Sequence, residues 1–474
     1  MRPLAWLRAD LRIEDSHALF HAGRAATRGI VAVFAICTQQ WRQHDWADIK
    51  VEFILRNLAC LAESLRRLNI PLLIVRTPRF AGVPAALLQL ARRHHCNALY
   101  FSRECGINEI RRDEAVTARF TAAGLQVRAF DDETILPPQA LRTTQGTPYT
   151  VFTPFKRAWL ARVRESDAAA VLPPPRPQPE PVCATDAVPE RIAGFNLQRG
   201  LPELWPAGER VAARRLDAFI SQRLAAYHRR RDYPADDATS RLSPYLAAGV
   251  ISARTCLQAA IAANDGRLDG GHPGADTWIS ELIWREFYRH VLVSFPSVSM
   301  GRAFKLDTER LRWSRAEEDF RAWCAGRTGF PIVDAAMRQL SETGWMHNRL
   351  RMIAATFLTK DLFIDWRRGE RWFMRQLIDG DLASNNGGWQ WSASTGTDSV
   401  PYFRIFNPTS QSRKFDPAGE FIRTFVPELR PLAGPAIHAP PPQLRAELGY
   451  PAPICDHATA RRHVLAAFAE LKHK

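Results

Sequence analysis

Short apolar runs alternate with amphipathic segments over the first third of the chain, and no other feature restricts its fold as strongly. The apolar runs are 4–7, 30–36, 71–75, 98–101 and 127–130, and the amphipathic segments include 51–68, 85–93 and 108–123. This β/α alternation predicts a parallel, doubly wound sheet. Such sheets bind ligands beyond the carboxyl ends of their strands. Because no G-x-G-x-x-G follows the first run, nothing indicates an ordinary dinucleotide site.

A proline-rich stretch, LPPPRPQPE at 172–180, interrupts this pattern. Proline lacks an amide donor and restricts its neighbours, so the stretch predicts a linker. Beyond about Pro206 the strand-like runs end and long helical patterns continue to the C-terminus. We therefore expect an α/β domain at 1–131, an interdomain linker at 132–205 and a mostly helical domain at 206–474.

The charge balance is compatible with a nucleic-acid partner but has a second explanation. With 474 residues and a formal net charge of +15, the chain can produce a positive field that attracts nucleic acid. Alternatively, the excess of positive charge reflects a proteome that is generally rich in arginine. The eight cysteines include no C-x-x-C pair, which argues against a zinc site and against a disulfide framework. With no signal-like or membrane-spanning segment, we expect a cytoplasmic protein.

The segment DATSRLSPY has the pattern of a loop entering a helix. Hydroxyls at Thr239, Ser240 and Ser243 surround the guanidinium of Arg241. Free amides at a helix start, with these donors, suit a diphosphate. A simple helix cap explains the same residues.

Two further segments place polar and aromatic side chains on helix faces. In TWISELIWREFYRH, Trp278, Glu281 and Arg285 share a face beside Trp284, which suits a planar heterocycle, although an amphipathic core helix has the same spacing. In GWMHNRLRM, the face carries Asn348, Arg351 and Met352, with Arg349 adjacent. These groups can bind a pyrimidine edge, an anion and an apolar ring. We interpret His347 as a surface or capping residue.

The stretch DGDLASNNGGWQW, at 379–391, combines paired carboxylates, amides, glycines and tryptophans. This composition predicts neither a good helix nor a good strand, and it favours close approach of the backbone to a bulky planar ligand. No His or Cys lies nearby to complete a transition-metal set.

From Trp6 to its C-terminus the chain resembles the photolyase/cryptochrome family, and within it the class I cyclobutane pyrimidine dimer photolyases. The blocks that carry the resemblance are TSRLS, ELIWREFYRH, TGWMHNRLRM, KDLFIDWRRGERWF and DGDLASNNGGWQWSASTGTD. The resemblance implies an α/β antenna domain and a helical domain that binds FAD. It also implies a light-driven carbon–carbon lyase that repairs ultraviolet-damaged DNA.

The resemblance assigns residues to the flavin and to the lesion. Those implied for FAD are Tyr227, Thr239, Ser240, Arg241, Leu242, Ser243, Trp278, Glu281, Arg285, Asn348, Arg351, Asp379, Gly380, Asp381 and Asn385. In similar proteins Arg351 pairs with Asp379, and Asn385 faces the reactive ring nitrogen. Those implied for the flipped-out dimer are Glu281, Trp284, Arg285, Asn348, Arg349, Met352 and Trp391.

The implied reaction is cyclic electron transfer from excited, reduced flavin to the dimer. Its implied catalytic residues are Glu281, Asn348, Asn385, Trp389, Trp366 and Trp313. Glu281 is the candidate hydrogen-bond partner of the dimer carbonyls. The three tryptophans match the family's chain that passes electrons to oxidised flavin, which serves activation and not repair.

An antenna chromophore is also implied. His44, Asn108 and Glu109 coincide with residues that contact methenyltetrahydrofolate in similar enzymes. Met300 stands where some folate-binding relatives have Lys. A folate is the first expectation, a deazaflavin the second and an empty site the third.

Three alternatives stay open at this point. A cryptochrome photoreceptor shares the fold, but its plant and insect forms tend to replace the residue at Asn385, and many carry a tail after the core. A 6-4 photoproduct photolyase uses histidines where this chain has Asn348 and Met352. A dark flavin oxidoreductase or a DNA-binding module would leave the tryptophan chain without purpose. We expect a monomer that acts on DNA containing pyrimidine dimers.

Overall fold

The computed structural model describes residues 1–197 and 200–471. The chain forms two compact units. The first comprises Met1–Ala225, Ser240–Pro296 and Ile378–Ala383, and the second comprises Ala226–Thr239, Ser297–Leu377 and Ser384–Lys474. Each compact unit thus consists of separate stretches of the chain. The predicted domain boundaries after residues 131 and 205 follow the sequence pattern instead and stay a prediction.

The first unit contains a five-stranded parallel sheet, which confirms the predicted fold class. Its strands are β1 (Pro3–Leu7), β2 (Val31–Ile36), β3 (Leu72–Arg76), β4 (Ala98–Ser102) and β5 (Gln126–Phe130), in the order β3-β2-β1-β4-β5. Every residue of β1 and β4 is buried, because helices cover both faces of a doubly wound sheet. The edge strand β5 is partly exposed and carries polar residues.

The remaining regular structure is helical. In chain order the described helices begin with α1 (His17–Ala25), α2 (Thr38–Gln43), α3 (Asp48–Arg67), α4 (Val83–Arg93), α5 (Ile107–Ala122), α6 (Phe152–Arg164), α7 (Glu209–Gln222), α8 (Tyr227–Arg230), α9 (Ser243–Ala247), α10 (Ala253–Ala262) and α11 (Pro273–Ser294). They continue with α12 (Pro296–Ser299), α13 (Glu317–Cys324), α14 (Pro331–Thr343), α15 (Asn348–Thr356), α16 (Trp366–Met374), α17 (Leu382–Ala393), α18 (Pro408–Phe415), α19 (Glu420–Phe425), α20 (Pro442–Leu448) and α21 (His457–Glu470). A single π-helical turn, Phe357–Asp361, follows α15.

Local signals explain several helix ends. Ser252 caps α10 by accepting the amide of Thr255, and α14 starts on Pro331 and stops at Gly344, which adopts a left-handed conformation. The second unit buries a core that includes Trp323, Trp366 and Trp389, formed mainly by α13 to α17 and α19.

All eight cysteines are free thiols. Among the residues that the structure describes, no group of three or more His, Cys, Asp or Glu side chains has an arrangement that could hold a metal ion. No helix in these ranges has the length and apolar character needed to cross a membrane.

Candidate functional site

Helix α11 in the first unit carries four of the predicted site residues. Trp278 is buried and packs against Phe219, with ring centroids 4.8 Å apart. Glu281 and Trp284 are partly exposed. Phe152 stacks on Trp284 with a centroid separation of 3.7 Å and an interplanar angle of 7°. A rigid helix thus presents a carboxylate and a braced indole, while Trp278 belongs to the core.

Arg285, the fourth residue on α11, belongs to a dense charged cluster. Its guanidinium donates to the carbonyls of Glu133 at 3.0 Å and Leu246 at 3.5 Å. Burial and the neighbouring Arg289 lower the pKa of Arg285 to about 10, although Asp381 counteracts them. The predicted residue Asp381 is held directly by Arg289, whose Nη2 lies 2.7 Å from its Oδ2. Sequence analysis missed Arg289, whose only signal was its position one turn after Arg285 on a predicted helix.

Residues 240–242 form a tight loop before α9, which begins at Ser243. Arg241 has φ = 50°, in the left-handed region that non-glycine residues seldom occupy. The hydroxyl of Ser240 accepts from the amide of Leu242 at 3.4 Å. Leu242 is the N-cap of α9 and makes no side-chain capping bond. The N-cap position of α9 is thus held by a residue without a hydroxyl, which does not support the alternative of a simple side-chain cap by Thr239, Ser240 or Ser243. Strained backbone such as that of Arg241 clusters at functional sites.

In the second unit, the segment GWMHNRLRM forms the start of α15. His347 is its N-cap: the imidazole Nδ1 accepts the amide of Arg349 at 3.2 Å. The side chain of His347 is buried, so the capping interpretation is confirmed and the surface alternative is wrong. Asn348 is exposed at the first helical position. Arg349 pairs with Asp232 at 2.7 Å, and the Nε of Arg351 donates to the carbonyl of Met346 at 2.8 Å.

The cap makes α15 sensitive to acid. Burial lowers the pKa of His347 to about 4, with Arg349 and Arg351 acting in the same direction and Asp232 opposing them. Because the folded pKa is below the unfolded value near 6.5, the unfolded state binds the proton first, and stability is lost as the pH falls from about 6.5 toward 4. We expect His347 alone to remove about 3 kcal/mol from the free energy of unfolding by pH 4.

A variant isolates this contribution from that of the acidic groups. His347→Asn keeps a capping side chain without the titration. In urea unfolding between pH 4 and pH 7, the variant is expected to show a smaller pH dependence than the wild type. Parallel curves for the two proteins would contradict the assignment.

Residues 382–393 form helix α17, so the prediction that this stretch is irregular is wrong. Its paired asparagines are bonded to the preceding helix and not to their own backbone. Asn385 Nδ2 donates to the carbonyl of Glu370 at 3.0 Å, and Asn386 Nδ2 donates to the Glu370 carboxylate at 2.9 Å. Gln390 also donates to Asn386 Oδ1 at 2.9 Å. These tertiary bonds remove the local competition that makes asparagine a poor helix former.

The three tryptophans of the predicted electron chain belong to one hydrophobic cluster of the second unit. Trp366 and Trp389 are almost fully buried, and Trp313 is partly exposed and packs against the cluster. Helix α16 approaches the Trp389 ring so closely that a Cβ at Gly369 would overlap it. Trp389 also meets Phe373 edge to face at 4.9 Å. Of these three tryptophans, Trp313 is the one with a partly exposed side chain.

The candidate antenna residues come together in the first unit. His44 Nε2 lies 3.0 Å from Asn108 Nδ2, and His44 Nδ1 lies 3.3 Å from Glu109 Oε1. Burial raises the pKa of Glu109, but the hydrogen bond and charge of His44 and the charge of Arg112 together outweigh burial, and the pKa is lowered overall. Phe80 packs edge-on against the His44 ring at 5.5 Å. A carboxylate, an amide and aromatic rings are thus concentrated in the segments that follow β2, β3 and β4.

Comparison with known proteins gives two family matches. The family described as DNA photolyase matches residues 3–180, and the FAD binding domain of DNA photolyase matches residues 278–470. Together the two matches include most of the residues singled out above.

Whole-chain relatives agree with these matches. A deoxyribodipyrimidine photo-lyase of Salmonella typhimurium is 45% identical over 468 residues, which is 98% of each chain. Among solved structures, a bacterial class III photolyase of Agrobacterium tumefaciens has a TM-score of 0.87 and 34% identity, with 100% of this chain and 98% of that chain covered. An archaeal photolyase of Sulfolobus tokodaii, described with two FAD molecules, has a TM-score of 0.79 and 29% identity, with 99% of this chain and 100% of that chain covered.

Proposed function

This chain belongs to the DNA photolyase family, and we propose that it repairs cyclobutane pyrimidine dimers in ultraviolet-damaged DNA by light-driven electron transfer from reduced FAD. The observation that carries the proposal is the 45% identity to a deoxyribodipyrimidine photo-lyase across 98% of both chains. The enzyme is a carbon–carbon lyase, because the cyclobutane ring is split and no external electron is consumed.

The cryptochrome and 6-4 photolyase alternatives are not favoured. The relatives named above are deoxyribodipyrimidine photo-lyases or photolyases. Asn385 is present at the position that many cryptochromes change, and Asn348 and Met352 occupy positions where 6-4 enzymes use histidines.

The donor set suits a reduced flavin. Asn385 Nδ2 donates to the carbonyl of Glu370, which orients the amide, and its Oδ1 can accept a hydrogen bond from a ring N–H of the flavin. Asp379 and Asp381 supply acceptors for further N–H and hydroxyl groups. When bound, FAD supplies the electron that light excites. The protein orients it, excludes water and stabilises the charge that develops. We assign to FAD the residues that the family resemblance implies.

Glu281 and Trp284 support the assignment of the lesion to α11. The partly exposed carboxyl group of Glu281, in its protonated form, can donate a hydrogen bond to a dimer carbonyl. The indole of Trp284, braced by Phe152, offers a stacking surface for an unpaired base. The other residues assigned to the substrate are Arg285, Asn348, Arg349, Met352 and Trp391. The net charge of +15 supports binding of the DNA backbone.

For the antenna we assign a folate to His44, Asn108 and Glu109, with a deazaflavin or an empty site as the alternatives. The approach of these three side chains supports a chromophore there. The Sulfolobus tokodaii protein is described with two FAD molecules, so at least one relative holds a second cofactor. The proposal includes a cytoplasmic monomer.

One experiment tests cofactor and activity together. The chromophores released from purified protein are identified by absorption spectroscopy, and the reduced protein is then illuminated with an oligonucleotide that contains a thymine dimer. We expect FAD, with or without a second chromophore, and loss of dimers in the light only. Dimers that persist in the light with fully reduced flavin would refute the repair function.

Substitution of Trp313 separates activation from repair. Trp313→Phe removes the partly exposed end of the electron chain, so most photoreduction of oxidised flavin is expected to be lost. Repair by chemically reduced enzyme is expected to match the wild type. Trp372→Phe, which changes another tryptophan packed on the same cluster, serves as the control. Equal loss of photoreduction and repair in Trp313→Phe would contradict this division.

A further inference from the structure

Lys50 is a buried cation with no role in the reaction described above. It lies in the first turn of α3, and only 7% of its surface is exposed. Its Nζ donates to the carbonyl of Gly380 at 2.6 Å and lies 4.0 Å from the Trp46 ring. Gly380 is the middle residue of the turn Asp379–Asp381, which is assigned to the flavin. An α/β helix therefore holds a peptide 330 residues away in sequence.

A second cation, Arg289, binds the same turn. Arg289 Nη2 pairs with Asp381 Oδ2 at 2.7 Å, while its Nε pairs with Glu133 Oε1 at 2.9 Å. Burial alone would lower the pKa of Arg289, but Asp381 and Glu133 raise it above the ordinary value. Arg289 is therefore charged at every physiological pH. Together, Lys50 and Arg289 fix both the backbone and one carboxylate of the turn.

The charge of Lys50 persists near neutral pH despite its burial. Burial lowers the pKa of Lys50 to about 8, and Asp381 is the strongest group acting in the opposite direction. The other carboxylates that act on it are Glu104, Glu109 and Asp379. In a low-dielectric interior such a charge acts on nearby groups far more strongly than a surface charge does.

We infer that Lys50 is a positioning residue for the flavin, which holds the Asp379–Asp381 turn in its binding geometry and favours the reduced anionic flavin by its positive charge. The inference rests on the proposed function, because it takes the turn to be part of the FAD site. It assigns to the α/β region a direct part in flavin binding, separate from any antenna.

Two substitutions separate the hydrogen bond from the charge. Lys50→Met removes both, and Lys50→Gln keeps a donor for the Gly380 carbonyl without the charge. Lys305→Met is the matched control, because Lys305 Nζ donates to Ser399 and contacts neither Gly380 nor Asp381. For each holoprotein, the FAD dissociation constant is measured by fluorescence and the midpoint potential by spectroelectrochemistry.

We expect Lys50→Met to weaken FAD binding by about tenfold or more, since a hydrogen bond from a charged donor is lost. Lys50→Gln should retain nearly wild-type affinity. Both variants should have a more negative midpoint potential than the wild type, because the reduced anion loses a nearby cation. Lys305→Met should match the wild type in both measurements.

Each outcome decides one part of the inference. Wild-type FAD affinity in Lys50→Met would overturn the positioning role, and a wild-type potential in Lys50→Gln would overturn the electrostatic role. If Lys50→Met does not fold, Lys50→Gln still tests the charge, and weakened FAD binding in a folded Lys50→Gln would overturn the division proposed here. A wild-type protein that binds FAD but splits no dimers would refute the repair function and leave this inference intact.

Discussion

Replacing Glu281 with alanine is expected to lower dimer repair at limiting light by at least about tenfold while FAD stays bound, since a hydrogen bond to a developing charge is lost. Glu281 lies on α11, with a partly exposed side chain one turn from the buried Trp278. Repair is measured as dimers split per absorbed photon with chemically reduced enzyme, and FAD content is measured by absorption.

Two further variants make the Glu281 result specific. Glu281→Gln keeps a hydrogen-bond donor and is expected to recover part of the activity. Glu342→Ala removes an exposed carboxylate on α14 and should leave repair unchanged. Full activity in Glu281→Ala would exclude the substrate role. Loss of flavin from that variant would mean that Glu281 acts on repair through cofactor binding and not through the substrate.

Replacing Arg254 with alanine is expected to destabilise the first unit by about 3–5 kcal/mol, because it removes the ion-pair partner of the buried Asp15 and one of the two arginines paired with the buried Asp132. Arg254 Nε pairs with Asp15 at 2.9 Å, and its Nη2 pairs with Asp132. Arg12 also pairs with Asp132 at 2.7 Å, and all four side chains are buried. Burial raises the pKa of Asp132, but Arg12 and Arg254 outweigh burial and hold it below its ordinary value.

Urea unfolding followed by circular dichroism measures the effect. Arg66→Ala breaks an exposed ion pair with Glu63 on α3 and should leave the unfolding midpoint unchanged. Arg254→Lys retains a charge but not the two-sided geometry of the guanidinium, so an intermediate loss is expected. A midpoint for Arg254→Ala equal to that of the wild type would mean that water or neighbouring groups satisfy Asp15 and Asp132.

Several interactions in the structure have no signal in sequence spacing. Lys50 precedes Gly380 by 330 residues, and Arg254 is separated from Asp15 by 239 residues. A lysine at the start of an amphipathic helix is ordinarily solvated, so nothing marked Lys50 as buried. The burial of His347 is of the same kind. The cap was readable from the pattern, whereas the desolvation depends on the elements that cover it.

Helix α17 shows how tertiary contacts override local preference. Asparagines and glycines at 385–388 argue against a helix on propensity, which is why the sequence predicted irregular structure. The Glu370 side chain and carbonyl bind both asparagine amides, and Gly369 allows the Trp389 ring to lie against α16. Neither partner is apparent from the stretch itself, because both are on another helix.

The sequence by itself determined the parallel α/β sheet of the first third and the mostly helical remainder, because side-chain periodicity reports which faces of a local segment are buried. It also determined the family, through long blocks of specific residues. Only the tertiary structure decided which cations hold the Asp379–Asp381 turn, that His347 is desolvated and that 382–393 is helical. Those features depend on groups that are distant along the chain and adjacent in space, where burial and pairing set the energies.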